Sequence, residues 1–299
     1  MNNNPFSIYD FLGYLFPGLV ALMLFAYCYM LGVTAPIEEF FKITSFTKHF
    51  SEVIKIDWWE KTSIIIILSY ISGHVVAYLS SCMVEYFAYR SFGYPSRFLL
   101  HSSNENDSCL IKKYFSNGNV GASIWKVIVL IALLPISLFF FLFGKMLFIV
   151  QFITRPLDNC LKNSIKAKFD ALKVQLNIVN SSNDEPSDYH RIVMHYVYIN
   201  MPQCQRKADN YVAIYGFLRA IALIACLFFD FLFYAQIKSV IDYFSGNYEA
   251  TINWKAIGIL IVWMVLCNVL FMGFVKFYRR FAVENYMNLL TGKVDMSSW

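Results

Sequence analysis

Five stretches of the chain are almost free of charged residues, and each is long enough to be a candidate membrane span. They cover residues 11–33, 63–84 and 127–153, followed by 211–237 and 257–275. A helix of about 20 apolar residues crosses the ~30 Å hydrocarbon layer of a bilayer. Because an open sheet cannot satisfy its backbone groups in lipid, each stretch predicts a helix rather than strands.

The composition indicates the same class of protein. Hydrophobic residues make up 58% of the 299 residues and charged residues only 15%, whereas a soluble chain carries about 25% charged residues. These values exclude a disordered chain, a coiled coil and most soluble enzymes. The expected fold class is all-α, a polytopic helical membrane protein whose first partner is the lipid bilayer.

The distribution of lysine and arginine indicates which segments face the cytoplasm. Residues 84–126, 154–218 and 276–299 each carry a net charge of +2, whereas residues 34–61 carry −1. Two arrangements of the third apolar stretch remain open. If it is re-entrant, bent at Pro135 and Gly144, the protein has four full spans with both termini inside. If it crosses completely as a fifth span, one basic loop is translocated. The distribution of lysine and arginine favours the first arrangement.

A small helical module is expected between the third and fourth stretches. Apolar residues recur at steps of three and four from Leu161 to Leu176, which predicts one amphipathic helix. Ser187 is a candidate cap for a second helix that Pro202 ends, and the chain from Gln205 is expected to continue as helix into the fourth span. The predicted division is an N-terminal membrane region (1–153), a cytoplasmic helical module (154–210), a C-terminal membrane hairpin (211–280) and a cytoplasmic tail (281–299).

The module contributes a set of basic side chains. Their positive charge either faces solvent and anionic lipid or binds an anionic ligand such as a nucleotide or short oligonucleotide. No glycine-rich phosphate loop accompanies them, and the net charge of +5 is too small to predict binding to duplex nucleic acid. The candidates for the anionic ligand are Lys162, Lys166, Lys168, Lys173, Arg206 and Lys207.

Four polar side chains within the apolar stretches are candidates for pore lining or gating: His74, Arg219, Asp230 and Asn268. Ionisable groups in a bilayer are costly and normally face protein or water. Arg219 and Asp230 are eleven residues apart, about three helical turns and ~16 Å, so they are expected on one side of a helix. The alternatives are that Arg219 extends to the cytoplasmic edge, that His74 only packs, and that Asn268 bonds between helices.

Small residues predict where helices approach closely, and other motifs are missing. Gly13, Pro17 and Gly18 in the first stretch and Gly73 in the second are the expected helix-packing positions. No catalytic motif, cofactor motif or metal-ligand spacing occurs, so we expect neither an enzyme nor a cofactor. The seven cysteines are scattered and indicate neither a disulfide framework nor a zinc site.

Two short motifs carry a resemblance to a known group of proteins. Tyr9–Gly18 (YDFLGYLFPG) and Ser69–His74 (SYISGH) are similar to patterns in poorly characterised bacterial multi-pass membrane proteins of antiphage loci. The layout of the spans also resembles the channel-like membrane effector of Hailong-type defence systems. The resemblance implies a homotetrameric channel that a nucleotide-derived signal opens, so that depolarisation halts the infected cell.

The sequence therefore leads to two hypotheses about function. The first is an oligomeric inner-membrane ion channel that acts as an antiphage effector and is gated by a cytosolic anionic signal. The second is a membrane scaffold that does not conduct and recruits a soluble partner through its module. A transporter would predict inverted repeats, and none is visible in the sequence.

Overall fold

The computed structural model describes residues 10–31, 58–100, 114, 120–143, 155–177, 187–245 and 254–292, and all regular structure in these ranges is helical. π-helical turns at Phe11–Leu15 and Ser81–Glu85 continue directly into the neighbouring helices. The α-helices of the described ranges are α1 (Phe16–Leu31), α2 (Trp58–Ser80), α3 (Tyr86–Phe92), α4 (Pro95–Leu100), α5 (Val120–Ala132), α6 (Leu134–Phe143), α7 (Asn159–Gln175), α8 (Ser187–Asn200), α9 (Pro202–Phe244) and α10 (Trp254–Thr291).

Four helical segments are long and apolar enough to cross a membrane: Phe11–Tyr29, Thr62–Phe92, Pro202–Phe244 and Trp254–Thr291. The predicted fold class, an all-helical polytopic membrane protein with four full spans, is confirmed. The last two helices are much longer than their apolar stretches, because the polar residues that flank them continue the same helix. Pro202 begins α9 at a position where its missing N–H costs no hydrogen bond.

The third apolar stretch forms two helices, α5 and α6, that meet at an angle of 94°. The bend lies at Leu133, just before Pro135, which cannot donate a backbone hydrogen bond. The hydroxyl of Ser137 donates to the carbonyl oxygen of Leu130 at 3.1 Å and so satisfies a carbonyl at the bend. Gly144 and the rest of this stretch, to residue 153, lie outside the described residues.

Residues that precede and follow this bent pair meet at one end of the bundle. The backbone N–H of Leu157 donates to the carbonyl oxygen of Leu99 at 3.2 Å, and the guanidinium of Arg279 donates to the carbonyl oxygen of Arg155 at 2.9 Å. Leu99 precedes α5 and Leu157 follows α6, so an even number of crossings must separate them. This arrangement favours the re-entrant alternative over a fifth span.

The buried apolar residues of the described ranges form two hydrophobic cores. In the helix bundle, the rings of Phe87, Phe140 and Phe271 pack against one another with centroids 5.7–6.4 Å apart. The second core belongs to a helical module formed by α4, α7, α8 and the end of α10. Its buried residues include Leu99, Leu100, Ile165, Phe169, Leu172, Val193, Val197, Ala282, Tyr286 and Leu289.

The segments that form this module differ from the domain boundaries predicted from the sequence. Residues 281–292, which the sequence assigned to a tail, continue α10 and supply Ala282, Tyr286 and Leu289 to the module core. Helix α4, which the sequence assigned to the N-terminal membrane region, contributes Leu99 and Leu100 to the same core. The reason is burial: the apolar faces of α7 and α8 are covered by segments distant in sequence.

Close backbone contact joins α1 to α2. A Cβ atom added at Gly18 would overlap the carbonyl oxygen of Ser69, and one added at Gly73 would overlap the carbonyl oxygen of Tyr14. Only glycine permits this approach at either position. At Gly13 an added Cβ would meet nothing within 4 Å, so close approach does not require that glycine. Pro17 lies in the second residue position of α1 beside this contact.

Candidate functional site

Arg219 on α9 is paired with Glu85, which lies in the π-helical turn after α2. Its guanidinium donates through Nη1 to Glu85 Oε2 and through Nε to the hydroxyl of Ser80 at 3.2 Å. The hydroxyl of Ser81 donates to the same carboxylate oxygen at 3.0 Å. The side chain of Arg219 is 15% exposed. An arginine side chain that is so little exposed to water needs an opposite charge, and Glu85 of the same chain provides it.

Glu85 was not predicted as the partner of Arg219. In the sequence it counts among the acids of a loop, whereas in the structure the helix continues through the π turn and α3 to Phe92. No proline or glycine occurs between Gly73 and Gly93, and this was the available indication that the helix did not end at residue 84.

Asp230 has different surroundings from Arg219, although both are on α9. Leu227, Tyr234 and Ile237, at spacings of three, four and seven residues from Asp230, are 48%, 57% and 41% exposed. Cys226 and Leu223, four and seven residues away in the other direction, are buried, so Asp230 lies at the edge of the outward-facing stripe and is itself partly buried. Its oxygen Oδ1 is buried and has no hydrogen-bond partner among the described residues. Within the part of the chain that the structure describes, this carboxyl group therefore has no complementary charge.

His74 lies on the exposed surface of α2. Its ring stacks on the ring of Tyr14 with centroids 4.0 Å apart and meets the ring of Tyr70 edge-on at 4.6 Å. The structure thus places His74 among aromatic rings on the outside of a single chain. It does not bring His74 together with Arg219, which bonds to the neighbouring face of the same helix through Ser80.

Asn268 connects α10 to the bent pair. Its amide Nδ2 donates to the carbonyl oxygen of Pro135 at 3.2 Å and to that of Met264 at 2.8 Å. The hypothesis that this residue bonds between helices is confirmed. Because the side chain is buried and its amide nitrogen is engaged, Asn268 fixes the position of α6 within a single chain.

Two of the candidate basic side chains make polar contacts within the chain. The ammonium of Lys168 donates to the carbonyl oxygens of Leu289, Leu290 and Gly292 at 3.2, 2.7 and 2.8 Å, which caps the C-terminal end of α10. Lys207 forms an ion pair with Glu284 at 2.6 Å. The ammonium groups of Lys168 and Lys207 thus both bind other groups of the same chain.

The remaining basic candidates do not share these contacts. Lys166 and Arg206 are exposed, and Lys162 is partly exposed. The ammonium of Lys173 lies over the ring of Phe169 at 5.2 Å. Lys162, Lys166 and Lys173 are spaced four and seven residues apart, so they lie along one side of α7. What is left of the predicted anionic-ligand site is this stripe and Arg206.

His190 is partly buried beside the module core, and its ring nitrogen Nε2 is buried. Its ring lies 5.8 Å from that of Phe281 and 6.0 Å from that of Tyr286. Burial, together with the positive charge of Arg191, lowers the pKa of His190 to about 4. The imidazole is therefore neutral in the folded module at neutral pH. Among the described residues, no group of three or more histidine, cysteine or carboxylate side chains is arranged to hold a metal ion.

These features define a multi-pass helical membrane protein in which two spanning helices extend into a module outside the apolar layer. No family model matches the chain, and neither a curated protein nor a solved structure is significantly similar to it.

Proposed function

We propose that the protein is a channel-forming membrane effector in which several copies assemble along the outward-facing stripe of α9. In this assembly Asp230 lines a water-filled path, and the helical module controls whether the path is open. The observation that supports the proposal is Asp230 itself, a carboxyl group in a spanning helix with a buried oxygen that no described side chain satisfies.

The cost of exposing Asp230 to lipid is the physical reason for an assembly. An aspartate at the centre of a spanning helix costs roughly 2.5–3.5 kcal/mol in insertion experiments. Water between neighbouring copies removes this cost, because the carboxylate is then hydrated. Arg219 needs no such arrangement, since Glu85 already neutralises it within the chain.

The module is built to act on the spanning helices. Helix α9 begins in the module at Pro202 and continues through the apolar layer to Phe244, and α10 returns from Trp254 to Thr291 in the module core. The two helices form the most extensive helix pair among the described residues. A shift of the module therefore moves both helices, which is a known route from ligand binding to a change in a membrane region.

The identity of the signal and the biological role rest on the resemblance noted from the sequence. The proposal is that an anionic, nucleotide-derived signal binds the module and that opening halts a phage-infected cell. The exposed side chains of Lys166 and Arg206, with the partly exposed Lys162, support an anionic ligand. A homotetramer is the proposed assembly. Infection of cells that express the protein, with and without loss of these charges, tests this part.

Conductance of purified protein in a planar bilayer tests the channel. We expect single-channel currents from the wild type, and we expect Asp230→Asn to change the conductance or the cation preference by a factor of two or more. Asp242→Asn, near the end of the same helix, is the matched control and should leave both unchanged. A monomeric mass in detergent, or silence with and without cytosolic nucleotide, would contradict the proposal and favour the non-conducting scaffold.

A further inference from the structure

A cavity of about 540 Å³ lies beside the Arg219–Glu85 ion pair, between the π turn with α3 and the facing parts of α5 and α10. Its volume is in the range of cavities that hold small organic ligands. Five aromatic side chains and one carboxylate dominate its walls: Tyr86, Tyr89, Tyr94, Trp125, Tyr278 and Glu85.

The walls suit a positively charged group. The faces of aromatic rings carry negative electrostatic potential, so several rings around one cavity attract an organic cation. The guanidinium of Arg90 already lies 5.6 Å from the centroid of the Tyr86 ring, so a ligand cation depends on the other four rings of the cavity. The bonds that Glu85 accepts from Arg219 and Ser81 both end on Oε2. Its second oxygen can accept a bond from a ligand.

The position of the cavity relates it to the membrane surface. Along α2 the last strongly exposed apolar side chain is that of Tyr78, at 70%, and the cavity wall begins one turn later, at Ser81. Tyrosine and tryptophan are typical of the level at which hydrocarbon gives way to headgroups. The cavity thus lies toward the module end of α2, at the level where we expect the headgroups.

We infer that this cavity binds an organic ammonium group, held by the aromatic rings around it and by the carboxylate of Glu85. The group comes either from the headgroup of an ethanolamine or choline lipid or from a soluble amine. This site is independent of whether the assembly conducts, because all of its residues belong to one chain. Occupancy would hold α3, α5 and α10 together beside the Arg219–Glu85 pair.

Binding of choline and of its uncharged isostere 3,3-dimethyl-1-butanol to the purified protein tests the chemistry. The two probes have the same shape, so a cation site binds choline about tenfold more tightly, as expected for a desolvated cation–π contact. Trp125→Leu and Tyr89→Leu should each weaken choline binding severalfold. Trp125→Phe, which keeps a ring, is the matched control and should retain most of the affinity. Elution as the wild-type species establishes that each variant is folded.

Nanodiscs distinguish the sources of the ammonium group. Native mass spectrometry of protein released from mixed phosphatidylethanolamine and phosphatidylglycerol discs should show retained ethanolamine lipid in the wild type and loss of it in Trp125→Leu. Choline binding without retained lipid would assign the site to a soluble amine. Equal affinity for choline and the isostere, or unchanged choline binding in both leucine variants, would overturn the inference.

Discussion

Replacement of Lys168 by methionine should loosen the helical module without affecting the bundle. The ammonium of Lys168 donates to three carbonyl oxygens at the end of α10, at 2.7–3.2 Å. Methionine retains an apolar stem of similar length but has no donor. The variant therefore leaves the last carbonyls of α10 without their cap and removes a positive charge from the negative end of the helix dipole.

The expected loss follows from the geometry. A hydrogen bond from a charged group contributes roughly 1.5–3 kcal/mol when buried. Because the side chain of Lys168 is only partly buried, water replaces some of these bonds in the variant, and we expect about 2 kcal/mol for all three together. This corresponds to an increase of roughly 30-fold in the equilibrium for local opening of the module.

Hydrogen exchange measured by mass spectrometry checks this value. Amides in α7 and in the last turns of α10 should exchange roughly 30-fold faster in Lys168→Met, whereas amides in the middle of α9 should not change. Lys166→Met, an exposed lysine of the same helix, is the matched control and should differ less than about twofold from the wild type. Protection in Lys168→Met within twofold of the wild type would refute the capping argument.

Three further predictions concern other contacts. Arg219→Met should destabilise the bundle by about 2 kcal/mol in thermal unfolding, because the carboxylate of Glu85 is left partly buried without an opposite charge. Replacing Glu85 by glutamine in the same variant should restore part of the lost stability. Gly73→Ala should lower the melting temperature by several degrees, since its Cβ overlaps the backbone of α1, whereas Gly216→Ala meets nothing within 4 Å and should not. The module should lose about 3 kcal/mol of stability as the pH falls from 6.5 to about 4, because His190 takes up a proton at a higher pH in the unfolded chain than in the folded module. Denaturant unfolding as a function of pH should show this loss in His195→Phe but not in His190→Phe.

Most of the helical architecture could be predicted from the hydrophobic pattern. Long apolar stretches predict spans because lipid requires every backbone group to be bonded within its own segment. The bend in the third stretch follows from Pro135, and the start of α9 follows from Pro202. The face of α7 that contains Ile165, Phe169 and Leu172 was also predicted, and all three are buried.

The extent of the module could not be predicted in the same way. Its two central helices are amphipathic, and periodicity shows which face is buried but not what covers it. The covering segments are α4 and the end of α10, which lie far away in the sequence. A sequence boundary drawn where polar residues begin therefore separated α10 from the core that it helps to form.

The sequence by itself determined that this is a helical membrane protein with four apolar spans and a third apolar stretch that is either re-entrant or a fifth span, because the local requirement for backbone hydrogen bonds in lipid leaves little choice. Only the tertiary structure decided the partners: Arg219 with Glu85, Lys168 with the end of α10, and five aromatic rings around one cavity. Charge pairing, capping and the walls of the cavity depend on distances between side chains that lie up to 193 positions apart, from Glu85 to Tyr278. Such distances are set by how helices pack, and no local pattern of residues encodes them.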